Sequence, residues 1–174
     1  SRARRTGCTP ITRANPVYPA ALRKRLGLEA PGCLWAKGNL DILSMPSVSL
    51  VGSRALKERN RRFAREVGIQ AAKQGFALIS GNARGADSAA QDACLEAGGY
   101  VVSVLADSLN EHCPDAHRLY LSEDDYDECF SVLRALHRNR VIHALSDGVF
   151  VAQCTLERGG TWDGSVQNLR KSWS

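Results

Sequence analysis

The spacing of apolar residues along this chain changes at Ser47. Before it, apolar positions come in short groups broken by proline and glycine. There 19–26 reads as a short helix and 33–36 as an extended piece. After it, short unbroken apolar runs alternate with stretches of helical period. SVSLV, FALIS, YVVSVLA and GVFVAQC read as four buried strands. A helix near 57–74 follows the first, placing Phe63, Val67 and Ala71 on one face and stopping at Gly75. A second spans about 86–97 and stops at Gly98 and Gly99. The pattern then predicts a helical stretch near 114–121, an acidic loop at 122–128, a longer helix near 129–145 and a last helix in TWDGSVQNLRK.

Strands alternating with helices of this length predict right-handed crossovers, hence an α/β fold with a mainly parallel sheet covered on both faces. Continuous apolar strands fit the same arrangement. Two parts are expected: an extension over 1–45 packed on the core, and a main domain over 46–174 that ends on a helix with no strand after it.

Three of the strand-to-helix loops carry glycine: Gly52–Ser53–Arg54, the stretch SGNARGAD from Ser80 to Asp87, and TLERGGTWDG from Thr155 to Gly164. In a parallel sheet such loops share the C-terminal edge, where ligands bind. Glycine lets a ligand approach the backbone, and helix N-termini behind the loops offer free N–H groups to an anion. Arg54 and Arg84 are placed to fork onto phosphate oxygens, with Gly52, Ser53, Ser80, Gly81 and Gly85 shaping the loops. The plainer alternative is a set of tight turns with solvated arginines. Asp87 reads as a helix cap. Arg138, Asn139 and Arg140 sit together in the long helix and add a second basic group. Arg59, Arg61, Arg62 and Arg65 read as a solvated face. There is no dinucleotide fingerprint and no phosphate-binding loop of the nucleotide triphosphatases. No cofactor is therefore expected, and His137 and His143 are six apart, off a common helix face, so no metal is expected either. No nucleophile–base pair is visible, and no catalytic activity is expected.

Composition adds a partner class. The 174 residues carry 23 Lys and Arg against 18 Asp and Glu, a net charge of +5, with arginines clustered at 2–5, 23–25, 59–65 and 138–140. This favours a polyanion. No apolar run approaches the roughly 20 residues of a membrane span, and the basic start lacks the apolar core of a secretory signal, so a cytoplasmic protein is expected. The six cysteines form no CxxC pair and read as reduced thiols, Cys94 and Cys154 in buried segments.

Four motifs, in order, resemble the DprA/Smf family of DNA-processing proteins: the stretch from YPAALRKRLGLEAPGCLWAKGNLDIL to VGSR, SGNARGADSAAQDACLEAGG, VLADSLNEHCP, and RNRVIHALSDGVFVAQ, together about residues 16–160. The chain departs from that pattern at Asn82, Ala86 and Cys113, and in the short acidic segment before Arg138. The resemblance implies an extended Rossmann-like fold and binding of single-stranded DNA in a basic pocket. It further implies a homodimer and a part in DNA uptake, natural transformation and recombinase loading with a RecA-type partner. Arg54, Arg84, Arg138 and Arg140 are then the implied DNA-contacting arginines, beside Gly52, Ser53, Gly81 and Gly85. An alternative keeps the fold and changes the ligand. RGGTWDG loosely resembles the glycine turn of nucleoside-monophosphate phosphoribohydrolases, with Asp163 as the available carboxylate.

Overall fold

A computed structural model describes residues 5–174, so most of the basic run at 2–5 lies outside the described residues. The strands are β1 Thr9–Thr12, β2 Cys33–Gly38, β3 Ser47–Val51, β4 Ala77–Ser80, β5 Tyr100–Val104, β6 Arg118–Ser122 and β7 Val149–Val151. The helices are α1 Ala20–Leu26, α2 Glu58–Lys73, α3 Ala86–Glu96, α4 Val132–Leu145 and α5 Gly159–Lys171. The strands form one sheet in the order β1-β2-β6-β5-β4-β3-β7. It is parallel from β6 to β7, while β2 pairs antiparallel with both β6 and β1.

Side chains that alternate along the central strands feed two cores, because successive residues of a strand face opposite sides. Ala77, Ile79, Val102 and Val104 point to the layer of α1 and α4, where they meet Leu22, Leu26, Ile142 and Leu145. Leu78, Val101 and Leu50 point to the layer of α2 and α3, against Ala64, Val67, Ala90 and Cys94. Gly68 lets those two helices approach, since a Cβ there would press on the backbone of Ala90 and Cys94. Phe63 stays part-exposed and meets Phe150 edge-on, at 6.4 Å between ring centres.

The α/β fold and its mainly parallel sheet match the pattern of apolar runs. Four details differ. The segment expected to be helical near 114–121 contains β6, because Leu119 and Leu121 go to one core while Tyr120 packs on the opposite side. That period of two, paired on both edges, outweighs the helix propensity of Leu and Arg. β1 was not legible: four residues, one of them Pro10, make little pattern. The long helix begins at Val132 rather than near 129. β7 ends at Val151, so Cys154 is exposed in the following loop rather than buried in a strand. All six cysteines are free.

The N-terminal segment contributes more than a helix. β1 and β2 widen the sheet, and Arg25 of α1 donates to the carbonyls of Ala144 (3.0 Å) and Ser146, satisfying acceptors at the end of α4.

Candidate nucleic-acid interface

The loops after β3, β4 and β7 meet at the C-terminal edge of the parallel strands, where α4 starts. The first two are clamped together. Gly85 has φ +89°, and a Cβ there would run into the Ser53 carbonyl at 2.6 Å. No residue with a side chain fits that approach. The Ala86 N–H donates to the Ser53 carbonyl at 3.2 Å, and Gly52 leaves room for the Ala86 methyl. Asn82, where the chain departs from the family pattern, has φ +58°, a conformation asparagine tolerates better than apolar residues do.

Asp87 and Arg138 hold the second loop from beneath. Asp87 does not cap α3. Its Oδ2 accepts from the Gly81 N–H at 2.9 Å and the Ala83 N–H at 3.2 Å, bonds that reach back into the loop. Burial pushes its carboxyl up to about 6, partly offset by the Arg138 charge and these two amides. Arg138 is only 7% exposed. Its Nη1 donates to the carbonyls of Gly81 (2.7 Å) and Val104, and its Nε to the Asn139 side chain at 3.3 Å. Gly81 has no side chain because the guanidinium occupies that space. Desolvation lowers the Arg138 pKa, and Asp87 opposes that effect.

The predicted residues therefore separate into groups. Arg54 and Arg84 are exposed, and neither makes a side-chain hydrogen bond or ion pair within the described residues. Both line a groove of about 740 Å³, with Gly81, Asn82, Ala83 and Phe130. Arg54 also lines a second, inner cleft of about 440 Å³ between the β3 loop, α4 and the start of α5. Ser53 lines that cleft, its Oγ accepting from the Ala55 N–H at 3.2 Å. Ser80 is buried and accepts from Gln91, which also donates to Ser103 at 3.0 Å, so its hydroxyl serves the sheet. Asn139 joins α4 to α5 by donating to the Gly160 carbonyl at 3.3 Å. Arg140 lies away from both spaces and is fully engaged, with Glu123, the Glu29 carbonyl at 2.6 Å and His137 at 3.2 Å. Arg138 and Arg140 thus spend their donors inside the protein, and Arg54 and Arg84 do not. Asp163, the carboxylate of the hydrolase alternative, is exposed on the outer side of α4 and α5 and does not line the inner cleft.

Two contributors escape sequence reasoning. Phe130 is 54% exposed at the groove mouth, an aromatic face of the kind on which bases stack. Arg158 is exposed on the rim of the inner cleft, directly before α5. Its signal was available: an arginine preceding two glycines at a helix start.

The sequence model of the family described as DNA recombination-mediator protein A matches residues 9–165. The DNA processing protein DprA of Streptococcus pneumoniae is 35% identical over 141 residues, 75% of this chain and 50% of the relative, so the chain spans about half that protein's length. The X-ray structure of the S. pneumoniae protein superposes with a TM-score of 0.82 at 30% identity, over 94% of this chain and 60% of that one. A structure of DNA processing protein A from Helicobacter pylori, described for its single-stranded DNA binding mode, shares the fold with a TM-score of 0.79 at 22% identity, over 95% of this chain and 77% of that one. These likenesses fit the DNA-binding expectation and not the hydrolase alternative.

Proposed function

The chain belongs to the family of DNA recombination-mediator protein A, and from that premise we propose that its loop edge binds single-stranded DNA through the sugar-phosphate backbone. One observation carries the reading. Arg54 and Arg84, exposed and without a side-chain hydrogen bond or ion pair among the described residues, stand on adjacent clamped loops of a single groove with an exposed aromatic ring beside them. Two guanidiniums on rigid loops can fork onto successive phosphates, while Phe130 offers a stacking face to an unpaired base. Duplex DNA, its bases already stacked, cannot use that ring.

The role is one of binding and presentation. A RecA-type recombinase as the receiving partner, a homodimer as the working unit, and a place in DNA uptake in the cytoplasm belong to the same proposal. No helix among the described residues is long and apolar enough to cross a membrane.

Fluorescence anisotropy with labelled oligo(dT) tests the proposal. Arg84→Ala is expected to weaken binding about tenfold, the loss of roughly 1.4 kcal/mol of charge-assisted hydrogen bonding. Affinity should also fall steeply with salt. An unchanged affinity at low salt would rule the groove out.

A further inference from the structure

The inner cleft has features that gripping a strand backbone does not require. Its rim is cationic, with Arg54 and Arg158 exposed. At its mouth α5 begins without a side-chain cap and without an acidic residue in its first turn. The first residues of that 13-residue helix, Gly159, Gly160 and Thr161, line the cleft, and no side-chain cap covers their N–H groups. One wall is apolar, made by Val132, Leu136 and Ile142 of α4. His143 also lines the cleft. It is 1% exposed, and its Nδ1 has no hydrogen-bond partner among the described residues. Its opposite edge abuts α5, where a Cβ on Gly164 would lie 3.1 Å from Nε2. Burial keeps the ring neutral, its pKa down to about 4, so it offers one donor and one acceptor and no charge.

An anion site at the mouth, an apolar wall and a neutral polar group deeper in are the parts of a nucleotide. His143 sits against Gly164, four residues along α5 from Gly160, or about 6 Å down the helix axis. That is about the reach from a phosphate to the sugar it esterifies. The volume of about 440 Å³ lies within the range of small-molecule sites.

We propose that the inner cleft takes one nucleoside 5′-monophosphate unit, with its phosphate at the amino end of α5 beside Arg158 and Arg54, and its sugar and base against α4 and His143. The assignment rests on the reading of this edge as a nucleic-acid interface. The unit could arrive free or as the 5′-phosphorylated end of a strand in the neighbouring groove, which shares Arg54 and Arg138 with the cleft.

Calorimetric titration of the full chain with thymidine 5′-monophosphate, thymidine and inorganic phosphate tests this. The monophosphate should bind at least tenfold more tightly than either fragment. Arg158→Ala, an exposed change that spares the fold, should raise its Kd about tenfold. His143→Phe should weaken the monophosphate and leave phosphate unchanged. Arg84→Ala should leave the monophosphate unchanged. Anisotropy with oligo(dT) separates the sources: a preference for a 5′-phosphorylated over a 5′-hydroxyl oligomer, abolished by Arg158→Ala, marks a strand end, and equal binding marks the free nucleotide. A monophosphate that binds no better than phosphate, or that ignores Arg158→Ala, overturns the proposal. Failure of the strand-binding reading is distinct: oligo(dT) affinity would then ignore Arg84→Ala whatever the monophosphate does.

Discussion

Arg138→Leu separates a structural arginine from a DNA-contacting one. The side chain is 7% exposed and donates to the carbonyls of Gly81 and Val104 while facing the buried carboxyl of Asp87. Leucine removes every donor and is too short to reach the space beside Gly81 that the guanidinium fills. Two buried carbonyls lose charge-assisted hydrogen bonds, and Asp87 loses the positive charge that most stabilises its ionised form. Leaving those two buried carbonyls without donors costs about 1–3 kcal/mol each. With a urea m-value of about 2 kcal/mol/M, the unfolding midpoint should fall by roughly 2 M at pH 7. Adding Asp87→Asn should recover part of the loss, since no charge is then buried alone. Circular dichroism in urea reads the midpoint, and oligo(dT) anisotropy on the same preparations reads binding. If the midpoint moves by less than about 0.5 M while affinity drops about tenfold, the guanidinium contacts the ligand and the structural reading is wrong.

Stability should respond to pH through buried groups of opposite sign, Asp87 and Glu123 on one side and His143 on the other. Asp87, raised to about 6, makes the native state bind a proton the unfolded state releases, so its contribution falls as pH rises from 4 to 6. His143, lowered to about 4, does the reverse over the same window. The two effects offset in the unaltered protein, so His143→Phe should make the urea midpoint decline more steeply with rising pH between 4 and 6 than it does in the parent. A decline as small in the variant as in the parent would count against the burial of Asp87 as its cause. Gly85→Ala, at φ +89° against the Ser53 carbonyl, should cost about 2–4 kcal/mol and lower the melting temperature by several degrees. Cys154 lines the inner cleft and is exposed, as is Cys113 elsewhere. Thymidine 5′-monophosphate should slow alkylation of Cys154 and leave Cys113 unaffected, as read by mass spectrometry.

The parallel core was legible because buried strands are runs of Val, Leu, Ile and Ala that need only one rule. β6 was not, since Arg118, Tyr120 and Ser122 interleave with Leu119 and Leu121 in a stretch too short to separate the two periods. The candidate site was legible as a set of loops, because glycine and arginine at strand ends mark an edge. What each arginine does was not legible. Arg54, Arg84, Arg138 and Arg140 look alike in sequence, yet two face solvent and two are bonded to carbonyls or carboxylates. That difference depends on which helix lies over which loop. Asp87 misled for the same reason: its position fits a helix cap, and its partners are the amides of the loop before it.

The bond between Arg138 and the Gly81 carbonyl joins positions 57 residues apart. It also makes them a single heritable choice. A lineage that keeps the arginine cannot place a side chain at 81, because the guanidinium fills that space. A lineage that gives up the arginine gains freedom at 81 and must then neutralise position 87. Across descendants of this chain the three positions should therefore drift as a unit, while Arg54 and Arg84 on the surface of the same loops are constrained by the ligand they meet and not by this bond.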